Sequence, residues 1–334
     1  TVALWDGIQY EQDGQTHPLK GVDVERIERD SRFLGPARRL LESGKYRAAE
    51  ERFERIWKNN KGWEKAEAGY FLGRLHLLQG RPKDAMKAFD AYLDAHRDEK
   101  DWWVPPAVLG YAEAALTAGR GNTARSYFKE LAGFGASWEL RAKLGEGNAL
   151  LVAGKPLEAR DIFRGVINNR RASVALRSEA QVGRARAFLA QGQVSQAIQE
   201  LESGFFSGRG ATQVLYNESR AWATFLMGQA HAAKEGQENL EIAEIWYLKV
   251  AALYGYGTYP EVFQETATAL ADLYTRLGRK DRAGEWRRRA GASNSRGGSS
   301  TPRNGKKSSS KKSSSKKNGS KKNGKRGQSS RRKT

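Results

Sequence analysis

The chain has 334 residues, which is enough for one long repeat array or for two domains of ordinary size. Lysine and arginine outnumber aspartate and glutamate by 58 to 38, so the formal net charge is +20 and an anionic partner has to be considered. Cysteine is absent, which excludes disulfide bonds, thiolate metal sites and cysteine nucleophiles. No apolar run approaches the ~20 residues that a membrane-spanning helix requires.

Residues 1–30 differ in pattern from the rest of the chain. Short apolar alternations are interrupted by Asp6-Gly7 and Asp13-Gly14, which are dipeptides typical of hairpin turns. We therefore predict two to four short strands, packed on the first helices because so small a sheet is unstable alone. The sequence begins at Thr1, so removal of a signal peptide is one interpretation, and export and a cytoplasmic location both stay open.

A repeat occupies the middle of the chain. Each copy begins with a glycine, which is followed by alanine five residues later, phenylalanine or leucine nine residues later and usually an apolar residue after twelve. In the first copy these are Gly44, Ala49, Phe53 and Ile56. The pattern recurs at intervals close to the period of stacked helical hairpins. Its copies start at Gly44, Gly80, Gly119, Gly154 and Gly192, and a weaker copy starts at Gly278.

The repeat chemistry predicts two antiparallel helices per copy. Glycine ends a first helix, and Pro82 or Pro156 is tolerated at the start of the second. The sequence resembles the tetratricopeptide repeat family from about Phe33 to Ala290. The resemblance implies an all-α fold, a right-handed α-α superhelix of about seven hairpins over residues 31–290, with an irregular sixth repeat at Asn217–Leu253.

The resemblance also implies a ligand groove lined by the first helices. The groove position follows the small residue that lies seven residues before each loop glycine, and it carries Arg74, Glu113, Asn148 and Arg186. Some family members clamp a peptide carboxylate with lysine and asparagine on consecutive first helices. Only Asn148 matches that pair, because Leu144 occupies the lysine position. The alternative interpretation is a solvated helix face.

No catalytic signature is present. The sequence lacks a GxxxxGK[ST] phosphate loop, a GxSxG elbow and an HExxH motif. The four histidines, His17, His76, His96 and His231, have no metal-ligand spacing, and we interpret His76 and His231 as structural. We therefore predict no enzyme activity, no cofactor and no metal. Most tryptophans are predicted to lie in the core, and Trp102-Trp103 is a candidate contact surface.

Residues 291–334 form a lysine-rich tail. They hold fifteen lysine and arginine residues and no acidic residue, so the rest of the chain carries only 43 − 38 = +5. Low hydrophobicity and dense like charge predict disorder. The tail either binds polyanions without reading sequence or only solubilises the protein. The cations assigned to polyanion binding are Lys306, Lys307, Lys311, Lys312, Lys316, Lys317, Lys321, Lys322, Lys325, Arg326, Arg331, Arg332 and Lys333.

Three functions are compatible with these features. The leading hypothesis is a non-catalytic interaction scaffold that holds a protein or peptide partner in the repeat groove. The second is a nucleic-acid or anionic-surface binding protein that acts through the tail. The third is an accessory subunit of an exported enzyme complex.

Overall fold

The computed structural model describes residues 2–4, 7–12, 15–19, 31–98, 102–207, 217–255 and 258–296. Side-chain surroundings are described for residues 31–291 within these ranges. The predicted disorder of the tail from residue 297 onward therefore lies outside the described residues. Thr1–Ser299 forms one compact unit, and the remaining unit, Ser300–Thr334, is wholly outside the described part.

Three short strands lie at the N-terminus. They are β1 (Val2–Leu4), β2 (Gly7–Gln12) and β3 (Gln15–Leu19). The sheet order is β1-β2-β3, and both neighbouring pairs are antiparallel. Ile8 is paired with Ala3 on one side and with Leu19 on the other.

The rest of the described chain is helical and confirms the all-α prediction. Within the described ranges it contains fourteen helices, which pair into seven hairpins of a first, odd-numbered helix and a second, even-numbered helix. They are α1 Leu34–Glu42, α2 Tyr46–Asn59, α3 Gly62–Leu78, α4 Pro82–His96, α5 Val104–Thr117, α6 Gly121–Ala132, α7 Ala136–Val152, α8 Pro156–Ile167, α9 Val174–Ala190, α10 Val194–Leu201, α11 Glu218–Ala232, α12 Gln237–Leu253, α13 Pro260–Arg276 and α14 Lys280–Arg296.

The loop glycines close the hairpins as predicted. Gly80 has a φ of 67°, a left-handed conformation that only glycine adopts without strain. This conformation lets the Arg81 amide donate to the His76 carbonyl oxygen at 2.8 Å, while the Gly80 amide donates to the Leu77 carbonyl oxygen at 2.9 Å. These two bonds satisfy carbonyl groups at the end of α3, and Pro82 then begins α4. The chain therefore reverses within a few residues.

The alanine and phenylalanine of each repeat fill the space between hairpins. Phe89 of α4 is fully buried, and its ring contacts Gly73 in its own hairpin and Gly110 in the next first helix. Phe163 of α8 lies between Gly147 and Gly183 in the same way. Each ring thus packs between two successive first helices, so neighbouring hairpins share buried surface.

Three details depart from the regular pattern. Helix α10 continues into a π turn, Glu202–Phe206, whose Phe205 is buried. The irregular sixth hairpin uses Tyr247 in place of phenylalanine, and its ring packs on Gly228. The last helix extends past Ala290 to Arg296, so the helical array ends later than the predicted boundary.

Candidate functional site

Three adjoining cavities lie along the surface formed by the first helices. Their volumes are about 660, 480 and 370 Å³. Every residue that lines them belongs to a first helix or to its N-cap, so the cavities open on the inner surface of the array. In the largest cavity, Leu116 of α5 lies across from Trp222 of α11 and Glu265 of α13. Five successive first helices, α5 to α13, therefore contribute to one continuous groove.

Two rows of side chains occupy equivalent positions on the successive first helices from α3 to α11. The polar row consists of the four predicted residues and the equivalent residue of α11, namely Arg74, Glu113, Asn148, Arg186 and Gln229. The leucine row lies three residues further along each helix, on the same helix face. Its members, Leu77, Leu116, Leu151 and Leu189, are half-buried. The first helices therefore present hydrogen-bonding groups beside an apolar strip.

Arg186 is the central residue of the groove because it lines all three cavities. Its guanidinium lies over the indole ring of Trp222, with Cζ 4.3 Å from the ring centroid. Protein surrounds most of the side chain, and this burial lowers the pKa of Arg186. The carboxylates of Glu265, Glu218 and Glu261 act in the opposite direction on that pKa. The group nevertheless stays protonated at neutral pH.

The Arg186 guanidinium has hydrogen-bonding capacity to spare. Within the described part of the chain, no side chain accepts a hydrogen bond from it and no carboxylate pairs with it. A guanidinium carries five N–H donors, and the Arg186 side chain lines all three cavities. A partly desolvated cation of this kind is stabilised by any ligand that brings an acceptor oxygen.

A second arginine holds the neighbouring helices together. Arg141 of α7 donates to Glu179 of α9 at 3.2 Å and to Glu113 of α5 at 3.5 Å. Burial raises the pKa of Glu113 and of Glu179, and the positive charge of Arg141 opposes both shifts. Because Arg141 has two carboxylate partners and Arg186 has none among the described residues, the two arginines differ in their availability to a ligand.

The structure brings together some of the predicted groove residues and separates others. Asn148 and Arg186 line two of the cavities in common. Glu113 lines none of the three cavities and pairs with Arg141. Arg74 is exposed on α3 and lines none of the three cavities, so it lies outside this part of the groove.

Sequence reasoning missed several lining residues. Trp222 was predicted as core, yet it is half-buried and forms a wall of two cavities. Leu116 and Leu189 were not singled out, although each lies three residues after a predicted groove residue. That spacing is a helical-face signal that the sequence contains. Glu265 was also missed, because its approach to Arg186 depends on how α13 lies relative to α9.

Trp103, His76 and His231 lie outside the three cavities. Trp103 packs on Tyr70 and Phe71, with ring centroids 4.5 and 5.5 Å apart, so it forms part of the apolar packing rather than an open contact surface. Burial lowers the pKa of His76 and of His231. In the described residues, no group of three or more histidine, aspartate or glutamate side chains has the arrangement of a metal site. No helix in the same part of the chain has the length and hydropathy of a membrane span.

The chain was compared with known protein families and with solved structures. A sequence profile of the tetratricopeptide repeat matches residues 35–100 and 141–205. No curated protein matches the chain significantly. The structure of NprR in complex with its cognate peptide NprX is similar, with a TM-score of 0.55 and 14% identity over 76% of this chain and 74% of that chain. The Rap conjugation gene regulator of plasmid pLS20, in complex with the Phr* peptide, has a TM-score of 0.51 and 16% identity over 78% of this chain and 72% of that chain.

These two likenesses concern the fold, since the identities are low. The matched residues contain hairpins whose loop glycines and buried phenylalanines follow the repeat pattern. Profile, packing and fold agree: the chain contains tetratricopeptide repeats in the matched residues, and its helical array has the fold of the two compared structures.

Proposed function

We propose that this protein is an interaction scaffold that binds a peptide segment of a partner in the groove formed by α5 to α13. The observation that carries the proposal is the position of Arg186, which lines all three cavities and has no hydrogen-bond acceptor among the described residues. A groove with such a donor at its centre accommodates a chain that supplies acceptor oxygens at intervals.

The surrounding side chains suit a peptide better than a rigid small molecule. Asn148 and Gln229 offer amide groups that pair with peptide N–H and C=O groups. Leu116, Leu189 and Trp222 offer apolar surface for side chains. The cavities adjoin one another along several helices, so the ligand that fills them has to be elongated.

The fold comparisons are consistent with this proposal. NprR and the Rap regulator have the same fold, and both structures contain a bound peptide. The fold likenesses support only the use of a tetratricopeptide-type array to hold a peptide.

A random peptide library displayed on phage tests the proposal and does not require the partner to be identified. Selection on the immobilised full-length protein should enrich peptides that bind the unmodified protein and fail to bind Arg186→Ala. Arg164→Ala is the matched control, because Arg164 is an exposed arginine of α8 that pairs with Asp161 outside the groove. If no peptide is enriched, or if both variants bind equally, the groove proposal is wrong.

The composition of the tail favours a second, compatible activity. Residues 291–334 hold fifteen cations and no acidic residue, whereas the rest of the chain carries +5. The tail is therefore proposed as the element that attaches the protein to a polyanion such as nucleic acid or an anionic surface, by releasing counterions. It has no aromatic residue to stack on bases, so it reads no sequence.

A further inference from the structure

The outer face of α12 differs from that of the five preceding second helices. The positions two before and one after the large buried residue of the repeat (Phe53, Phe89, Phe128, Phe163, Leu201 and Tyr247) are exposed or half-buried in these six helices. The first of these positions is polar in the five preceding second helices, where it carries Glu51, Lys87, Ser126, Asp161 and Gln199. The second position is polar in the same helices, where it carries Glu54, Asp90, Lys129, Arg164 and Glu202. In α12 the two positions carry Ile245 and Leu248.

These apolar side chains are open to solvent. Ile245 is 54% exposed and Leu248 is 37% exposed. Together with Glu241 and Ala252, which are also exposed, they follow the spacing i, i+4, i+7 and i+11. This spacing forms a straight stripe on one helix face, as in helices that pack against another helix.

The stripe has a rigid support. Trp246 lies beside it and packs on Phe206 of the π turn, with ring centroids 5.0 Å apart. Lys249 extends over the Trp246 ring, with Nζ 4.2 Å from its centroid. Tyr247 on the opposite side is buried against Gly228. The stripe is thus held on a packed helix rather than on a mobile loop.

Charge spacing along the stripe identifies a partner that fits it. Glu241 lies four residues before Ile245, and Lys249 lies four residues after it. If two copies of α12 pack antiparallel about a two-fold axis at Ile245, Glu241 of each copy faces Lys249 of the other. The same pairing brings Ile245 against itself and Leu248 against Ile242. The face is therefore complementary to itself in both shape and charge.

We propose that α12 is a homodimer interface, in which two copies of this chain associate through antiparallel α12 helices centred on Ile245. One helix pair covers less than the ~1,200 Å² of a standard interface, so the dimer is weak and depends on concentration. The interface lies on the second helices, whereas the groove is formed by first helices. It therefore does not depend on the proposed peptide binding.

Sedimentation velocity of the full-length protein over a wide concentration range tests the proposal. The measurement is made at about 150 mM salt, where repulsion between the basic tails is screened beyond ~8 Å. The unmodified protein should approach twice the monomer mass as concentration rises. Ile245→Glu should stay monomeric, because it places two carboxylates on the axis. Leu157→Glu is the control, since Leu157 is 58% exposed on the outer face of α8, and it should dimerise normally.

A charge exchange tests the antiparallel register itself. Glu241→Lys alone and Lys249→Glu alone should each dimerise at least several-fold more weakly, because like charges then face each other. A mixture of the two single variants should restore the dimer, and so should the double variant. The inference is overturned if the unmodified protein is monomeric throughout, if Ile245→Glu dimerises as well as Leu157→Glu, or if the mixture does not recover.

Discussion

Gly147 of α7 leaves room for the ring of Phe163 in α8, and the two residues fix the distance between these helices. A Cβ atom at Gly147 would lie 2.6 Å from Cε1 of Phe163, which is too short for any real contact. The ring is enclosed from the other side by Gly183 of α9, where a Cβ atom would lie 2.5 Å away. Phe163 is therefore packed between two first helices without spare volume.

This packing predicts the effect of one methyl group. Gly147→Ala should lower the free energy of unfolding by about 1–3 kcal/mol, because overpacking forces the ring or the helices to shift. The control is Gly165→Ala in α8, where no atom lies within 4 Å of the added Cβ. That change should be neutral or stabilising by up to ~1 kcal/mol, because alanine favours the helix. Chemical denaturation measures both values.

A double-mutant cycle then assigns the cause. In a Phe163→Leu background, Gly147→Ala should be less destabilising than in the unmodified protein, since the smaller side chain leaves space for the methyl group. An equal loss in both backgrounds would mean that the methyl group acts on something other than the ring.

Arg38 of α1 and Glu67 of α3 form an ion pair. Removing one partner should destabilise the protein more than replacing both partners with apolar residues. Glu67 is 1% exposed, so its carboxylate depends on neighbouring groups for stabilisation. Arg38→Met should destabilise the protein by about 3–5 kcal/mol, because it leaves a buried negative charge without this partner. The combination of Arg38→Met with Glu67→Leu should recover most of that loss.

The Arg38→Met variant should also respond to pH. Without the arginine, burial favours the neutral form of the Glu67 carboxyl group over its carboxylate. A carboxyl group that is protonated more readily in the folded state than in the unfolded state stabilises the protein at low pH, and this stabilisation is lost as pH rises. The gap in unfolding free energy between Arg38→Met and the unmodified protein should therefore narrow as pH is lowered from 7 towards 5. A gap that is constant with pH would contradict a buried, ionised Glu67.

Loss of the tail should abolish polyanion binding. The comparison uses the full-length protein and a chain that ends at Arg296, which keeps α14 whole. The full-length protein should bind duplex DNA with an affinity that falls by orders of magnitude between ~50 and ~200 mM salt. The shortened chain should bind very weakly at any of these concentrations. Equal binding by both, measured by fluorescence anisotropy, would assign the activity to the repeats.

Most of the fold follows from local sequence chemistry. The loop glycines, the buried alanines and the phenylalanines occur at fixed offsets, and each offset has a separate physical reason. The end of the array was harder to predict, because α14 continues to Arg296 through a composition that looks like tail. Asn217 is a similar case. Its role as a helix cap was not predicted, and its side chain accepts a hydrogen bond from the Arg220 amide at the start of α11.

Only part of the groove lining could be predicted from the sequence, because the rest depends on how the hairpins pack against one another. Asn148 and Arg186 follow from the repeat offsets, since equivalent positions of stacked hairpins face the same side. The position of Leu116 across from Trp222 and Glu265 depends on the curvature of the whole array. Small rotations between hairpins produce that curvature, and no single repeat encodes it.

An affinity measurement tests whether Arg186 anchors a peptide in the groove. A peptide selected on the unmodified protein is titrated by isothermal calorimetry against that protein, Arg186→Ala and Arg164→Ala. Loss of hydrogen bonds to a charged donor is worth about 1.5–3 kcal/mol, so Kd for Arg186→Ala should rise roughly ten- to hundredfold. Kd for Arg164→Ala should be unchanged. Equal Kd values for the two variants, both still folded, would show that Arg186 does not anchor the peptide.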